Sequence, residues 1–159
     1  MLLAVMTLTG QAQDKKPPSP PATAEGTSGS VKIKIDYSQP SAKGRKIMGG
    51  LVPYGEVWRT GANTTTSIEL SGPVKVEGKD LAAGKYALFT IPGENEWTII
   101  FNKTIKWGAF SYKQSEDVLR VTVKPTKTDK FVETFVIGVG KDEVTMEWEN
   151  TRVSFKVKG

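Results

Sequence analysis

Apolar and polar residues alternate with period two in short runs along this chain, and the pattern never gives way to the 3.6-residue period of a helix. Val31, Ile33, Ile35 and Tyr37 share one phase, as do Leu119, Val121 and Val123, then Val144, Met146 and Trp148, then Val153, Phe155 and Val157. Ile68 and Leu70 form a shorter run of the same kind. Successive side chains of a strand point to opposite faces, so each run predicts a half-buried strand. Tyr86 to Ile91 and Trp97 to Phe101 are apolar on both phases and predict central strands covered on both sides. Turn-forming clusters separate the runs, among them Ser71-Gly72-Pro73, Pro92-Gly93-Glu94-Asn95, Gly140-Lys141-Asp142 and Glu149-Asn150-Thr151. The expectation is an all-β fold: a single antiparallel β-sandwich, jelly-roll-like, of about nine short strands over residues 31–159.

One strand leaves its facing open. In Phe131 to Val139, Glu133 shares a phase with Phe131, Phe135, Ile137 and Val139. If that phase faces inward, Glu133 becomes a buried carboxylate that needs a cation, and Arg45 or Arg59 is the natural partner. If Val132, Thr134 and Val136 face inward instead, Glu133 is solvated.

The N-terminal thirty residues read differently. Leu2 to Leu8 form a short apolar run before Gly10-Gln11-Ala12, a small-x-small pattern suited to cleavage after Ala12. Without a charged n-region, residues 1–12 read as a signal-peptide remnant, and the expected localisation is exported, periplasmic or extracellular. Residues 13–30 hold Pro17, Pro18, Pro20 and Pro21 and then small polar residues. Such a stretch buries too little apolar area to offset its ordering entropy, so a disordered tether is expected. The apolar run is too short to span a bilayer, so no transmembrane segment is expected.

Composition removes several chemistries. The chain of 159 residues has no Cys and no His. That excludes disulfide scaffolds, thiol nucleophiles, zinc ribbons and Ser-His-Asp catalysis. Only oxygen ligands remain for a metal, and no Asp-rich calcium loop is present, so neither metal nor cofactor is expected. The net charge of +5 comes from basic residues that mostly alternate with apolar ones, as in Lys32 and Lys34. This is the signature of a solvated strand face, and with no basic run or basic helix no nucleic-acid partner is expected.

The stretch over 38–66 does not read as scaffold. Compact domains seldom carry so long an irregular segment unless it is an ordered functional loop or a linker. Ile47, Leu51, Val52, Tyr54, Val57 and Trp58 can anchor it, and five glycines permit sharp bends. Arg45, Glu56, Arg59 and Asn63 are interleaved. Either they form a ligand-binding loop or they are a polar network that pins a long crossover.

Here the sequence resembles a known family. Tyr37-Ser38-Gln39-Pro40-Ser41, Lys43-Gly44-Arg45-Lys46-Ile47, Gly49-Gly50-Leu51-Val52-Pro53-Tyr54-Gly55 and Val57-Trp58-Arg59-Thr60-Gly61-Ala62-Asn63 look like the signature of domain-of-unknown-function family 2911. Ala83-Gly84-Lys85-Tyr86, Leu88 to Gly93 and Glu96-Trp97-Thr98 extend the likeness, which covers roughly Ile33 to Phe155. The resemblance implies a small exported bacterial protein and no particular activity. Members commonly carry a Glu directly after Gly61-Ala62-Asn63, where this chain has Thr64, which weakens any scheme that makes that carboxylate an essential acid or base.

The leading functional expectation is therefore non-catalytic binding of an envelope or extracellular ligand, carbohydrate-like or anionic, by Arg45, Tyr54, Glu56, Trp58, Arg59 and Asn63. The arginines would hold an anionic or hydroxyl-rich group, Glu56 would orient an arginine, and Trp58 or Tyr54 would stack. A His-free glycan hydrolase is the alternative, with Glu56 and either Glu133 or Asp36 as its carboxylate pair. Ser41 with Lys43 or Lys46 is a further nucleophile–base candidate. A structural envelope role needs only the fold. Trp107 to Tyr112 forms a second aromatic-rich segment, either a contact surface or a plug over one end of the sandwich.

Overall fold

A computed structural model describes residues 19–105 and 112–159. The signal-peptide remnant, residues 13–18 of the expected tether and most of the Trp107 to Tyr112 segment lie outside the described residues. Ten strands form two antiparallel sheets. They are β1 (Pro21–Ser28), β2 (Val31–Ser38), β3 (Ser67–Leu70), β4 (Val74–Val76), β5 (Lys79–Leu81), β6 (Gly84–Ile91), β7 (Trp97–Asn102), β8 (Asp117–Val123), β9 (Thr126–Gly140) and β10 (Glu143–Lys158). One sheet runs β1-β2-β3-β6-β7-β8 and the other β5-β4-β10-β9, so the chain crosses between sheets after β3, after β5 and after β8. The all-β sandwich expected from the alternation is what forms.

The inward phases are those the sequence marks. Ile33, Ile35, Ile68, Leu88, Ile99 and Phe101 from one sheet meet Val76, Val144, Met146, Trp148, Phe155 and Val157 from the other in one buried cluster. β6 and β7 are covered on both faces, as their unbroken apolar runs require: Ala87, Phe89 and Ile100 form a second cluster on the outer face under Val57, Ile91 and Tyr112. On the outer face of the first sheet, Glu25, Lys34, Glu69 and Lys85 stand in cross-strand register, an alternating-charge row that is neutral as a set and places unlike charges opposite one another.

Two expectations need correction. Residues 21–28 are not tether but β1, paired along its whole length with β2. Its inward positions, Ala22, Ala24, Gly26 and Ser28, are small because β1 lies tight against β9: a Cβ on Gly26 would fall 2.4 Å from Val139 Cγ1. Glu149-Asn150-Thr151 is not a turn between strands but an irregularity inside β10, where the register against β9 shifts twice. Glu149 does take the left-handed conformation of a turn residue, φ +58°.

The same shifts settle Glu133. The slippage between the pairs Glu147↔Val136 and Glu149↔Val132 breaks the phase of β9, so Phe135 and Ile137 are buried while Phe131 and Glu133 are exposed. Neither arginine pairs with Glu133; its carboxylate accepts the Lys43 N–H at 2.9 Å. Its carbonyl accepts the Trp148 indole N–H at 3.0 Å and the Ala42 N–H at 2.8 Å.

Candidate functional site

The stretch over 38–66 is an ordered loop tied to both sheets. On the β9 side, Ala42 N–H donates to Glu133 O, Phe135 N–H donates to Pro40 O at 2.9 Å, and the Ser41 and Thr134 hydroxyls are 2.8 Å apart. On the β6 side, Trp58 and Thr90 exchange both backbone hydrogen bonds, at 2.7 and 3.0 Å. Thr66 O accepts from Leu88 N–H, so both Trp58 and Thr66 sit along the same edge of β6 and the residues between them are looped out toward solvent. That excursion is what carries Arg59 and Asn63 off the sheet.

The loop's middle is held by one carboxylate. Glu149 accepts the Ile47 N–H at 2.8 Å and the Met48 N–H at 3.2 Å, and the side chains of Ile47, Met48 and Val52 are buried beside it. Glu149→Ala removes both acceptors from a part-buried site. We expect a loss of about 1.5–3 kcal/mol in chemical denaturation, with faster amide exchange at Ile47 and Met48 than in the unsubstituted protein.

Backbone strain concentrates at the excursion. Lys43, Thr60 and Asn63 have φ of +50°, +61° and +61°. A left-handed β-branched residue such as Thr60 is a genuine outlier. It is held there by full burial, by its hydroxyl's bonds to Trp58 O and Thr90 Oγ1, and by the Thr66 hydroxyl donating to its carbonyl at 2.7 Å. Next to it, Gly61 has φ +149° and passes so close to β2 that a Cβ would lie 2.9 Å from Ser38 O.

Between the loop's two attachments lies a cleft of ≈ 730 Å³. Of the six residues singled out in the sequence, Arg45, Glu56, Trp58, Arg59 and Asn63 line it. Tyr54 does not; it borders a separate depression with Glu94, Trp97 and Lys127. Partial burial there, with the negative charges of Glu94 and Glu149 nearby, raises the Tyr54 phenol above its ordinary pKa. Lys43, singled out in the sequence only as a base for Ser41, reaches the cleft from the motif that supplies Arg45; sequence reasoning missed Ser19, whose carbonyl accepts from Asn63 Nδ2 at 3.1 Å.

The roles also shift. Trp58 is not a free stacking platform: its ring stacks on Trp148 at 5.9 Å and 20°, meets Trp97 and Phe135 edge-on, and donates its indole N–H to Gly61 O. It forms the cleft wall and the roof of the core together. Glu56 orients neither arginine. Arg45 donates to Ala42 O at 3.0 Å and Ser41 O at 2.7 Å, and Arg59 donates to Asn63 O at 3.1 Å. Ion pairs among the described residues join Lys75 to Asp80, Arg120 to Asp117 and Arg152 to Glu147, all away from the cleft.

Lys43, Arg45 and Arg59 thus present three cations to the cleft, with Glu56 as the only carboxylate lining it among the described residues. The two-carboxylate pair of the hydrolase alternative is not assembled there: Glu133 is bonded to the Lys43 backbone, and Asp36 accepts from Thr23 on the face of β2. Ser41 Oγ is engaged with Thr134 rather than with a lysine.

A family model described as "Protein of unknown function (DUF2911)" matches residues 19–157. The chain belongs to the DUF2911 family. The match opens at Ser19, so the DUF2911 unit includes β1 as well as the cleft and both sheets. No curated protein and no solved structure matches the chain. The activity of this DUF2911 member therefore has to be argued from its own geometry.

Proposed function

We propose that the protein is a non-catalytic recognition module that binds an anionic, hydroxyl-bearing ligand in the cleft beside the excursion. The observation that carries this reading is the set of Lys43, Arg45 and Arg59, three cations sharing one concave surface without an acidic partner among the described residues. An excess of like charge over the single carboxylate, Glu56, that lines the cleft among the described residues raises the local potential and attracts anions. The left-handed backbone at Lys43 and Thr60 adds support, because conformations of this kind, held by the structure around them, cluster at binding sites.

In this proposal the protein acts after export, in the periplasm or outside the cell. Its support is the short apolar run Leu2 to Leu8 followed by Gly10-Gln11-Ala12.

The test is an unbiased glycan and small-anion binding screen on the full chain, repeated with Arg59→Ala. Arg59 is half-buried and, among the described residues, makes one hydrogen bond, at an exposed site, so the variant should lose under about 1 kcal/mol of stability. Its retention of the screened ligand should fall about tenfold or more. A variant that melts several degrees lower yet binds as before assigns the loop to architecture and ends the recognition reading.

A further inference from the structure

We infer that the cleft takes an acidic oligosaccharide carrying at least two carboxylates, and that Arg59 grips one of them through its Nε/Nη2 edge; this rests on the recognition role proposed above. Arg45 and Arg59 are not equivalent. Arg45 donates Nε–H to Ala42 O and Nη2–H to Ser41 O, so the guanidinium edge that matches a carboxylate side-on is already filled by backbone carbonyls. Arg59 is held from the other side. Its Nη1 donates to Asn63 O, and among the described residues Nε and Nη2 have no partner. Anchored at one nitrogen, with the opposite edge open, Arg59 is preorganised for two parallel N–H···O bonds to one carboxylate. Arg45 and Lys43 contribute as fixed charges.

Glu56 narrows the class. An ionised carboxylate only accepts hydrogen bonds, and Glu56 lines the same cleft with no hydrogen bond or ion pair among the described residues. Glu56 is exposed, so water satisfies it in the free protein, and an occupant that brings donors as well as anionic oxygens, as the hydroxyls of an acidic sugar do, would engage it in place of that water. Three cations against one carboxylate leave the lining at +2. A neutral sugar or a zwitterion would not match that excess, whereas two carboxylates would. The volume of ≈ 730 Å³ lies well inside the range of about 300–1,000 Å³ for sites that enclose ligands larger than one small ring. Exposed Leu51 and Pro53 on the rim offer apolar surface for the C–H face of a pyranose.

The experiment is calorimetric titration of the full chain with three probes: trigalacturonate, maltotriose, which has the hydroxyls without carboxylates, and tricarballylate, which has the carboxylates without the sugar. Trigalacturonate is expected to bind at least about tenfold more tightly than either of the others. Arg59→Lys keeps the charge and loses the fork, and should weaken trigalacturonate at least about tenfold. Arg45→Lys should change it by less than about threefold. As a readout that needs no variant, the Arg59 Nε–H resonance should move on saturation with trigalacturonate. Equal losses in the two lysine variants, or an unmoved Nε–H resonance, overturn the fork assignment and leave cleft recognition standing. Maltotriose binding as tightly as trigalacturonate, or a cleft that takes other ligands and none of these probes, overturns the acidic-saccharide class alone. If Arg59→Ala alters the binding of nothing in the wider screen, the recognition role itself fails.

Discussion

Trp148→Ala is expected to cost about 3–5 kcal/mol, measured by chemical denaturation. Trp148 is 2% exposed and stands at the junction of everything the cleft is built on. Its ring stacks on Trp58 and tilts against Phe135 at 5.8 Å, and its indole N–H donates to Glu133 O in the irregular part of β9. Truncation opens a cavity under Trp58 and leaves the Glu133 carbonyl one donor short. The local outcome is as diagnostic as the global one: the near-ultraviolet dichroism of the tryptophan cluster should collapse. A loss below about 1 kcal/mol would mean that the cleft wall does not lean on this ring.

Gly61→Ala is the second large effect, about 2–4 kcal/mol, and its origin is backbone rather than packing. At φ +149° an alanine is strained wherever its methyl goes, and here the methyl meets Ser38 O on β2 and the Thr66 hydroxyl at 3.1 Å. The chain can relieve the contact only by moving the Thr60–Gly61 step, which also carries the acceptor for the Trp58 indole and the hydrogen bond that fixes Thr60. Ligand binding should weaken along with stability. Gly55 offers a control: its φ of +81° is also left-handed, but a Cβ there meets nothing within 4 Å, so Gly55→Asn should cost well under about 1 kcal/mol.

Much of this architecture is legible in the residues because a half-buried strand needs only alternation. The phases of Val31 to Tyr37 and Val153 to Val157 survive unchanged in the fold. Where alternation misleads, geometry supplies the reason. β1 escapes notice because its inward residues are Ala22, Ala24, Gly26 and Ser28, a set that resembles linker in composition and is required by the closeness of Val139. β9 defeats a phase argument because the register slips between Val136 and Val132, which no count of intervals can foresee. Glu149-Asn150-Thr151 has the right local conformation for a turn, but its neighbours keep pairing with β9 on either side, and a strand continues through it.

The site divides along the same line. Arg45, Arg59, Glu56 and Asn63 could be grouped from the sequence because polar residues interleaved with glycines and apolar anchors in one irregular stretch mark one ordered loop, and the four do line one cleft. Their partners could not, since Arg45 is aimed by carbonyls of Ser41 and Ala42 whose position depends on the bond to Glu133, ninety residues away by the separation of Lys43 and Glu133. Tyr54 was separable from the others only once the loop's path past Pro92 was known, where Gly55 N–H donates to Pro92 O.

The two ends of β1 have unequal surroundings, with a practical result for anyone handling the molecule. Ser19, just ahead of that strand, forms part of the cleft wall, whereas Gly159 donates its N–H to the Ser28 hydroxyl at the strand's far end, roughly 25 Å away at about 3.3 Å per residue. A purification tag or surface linker joined ahead of Ser19 departs beside the arginines and competes with whatever enters. The same appendage joined after Gly159 leaves them unobstructed, which makes that end the one to use for immobilised binding assays.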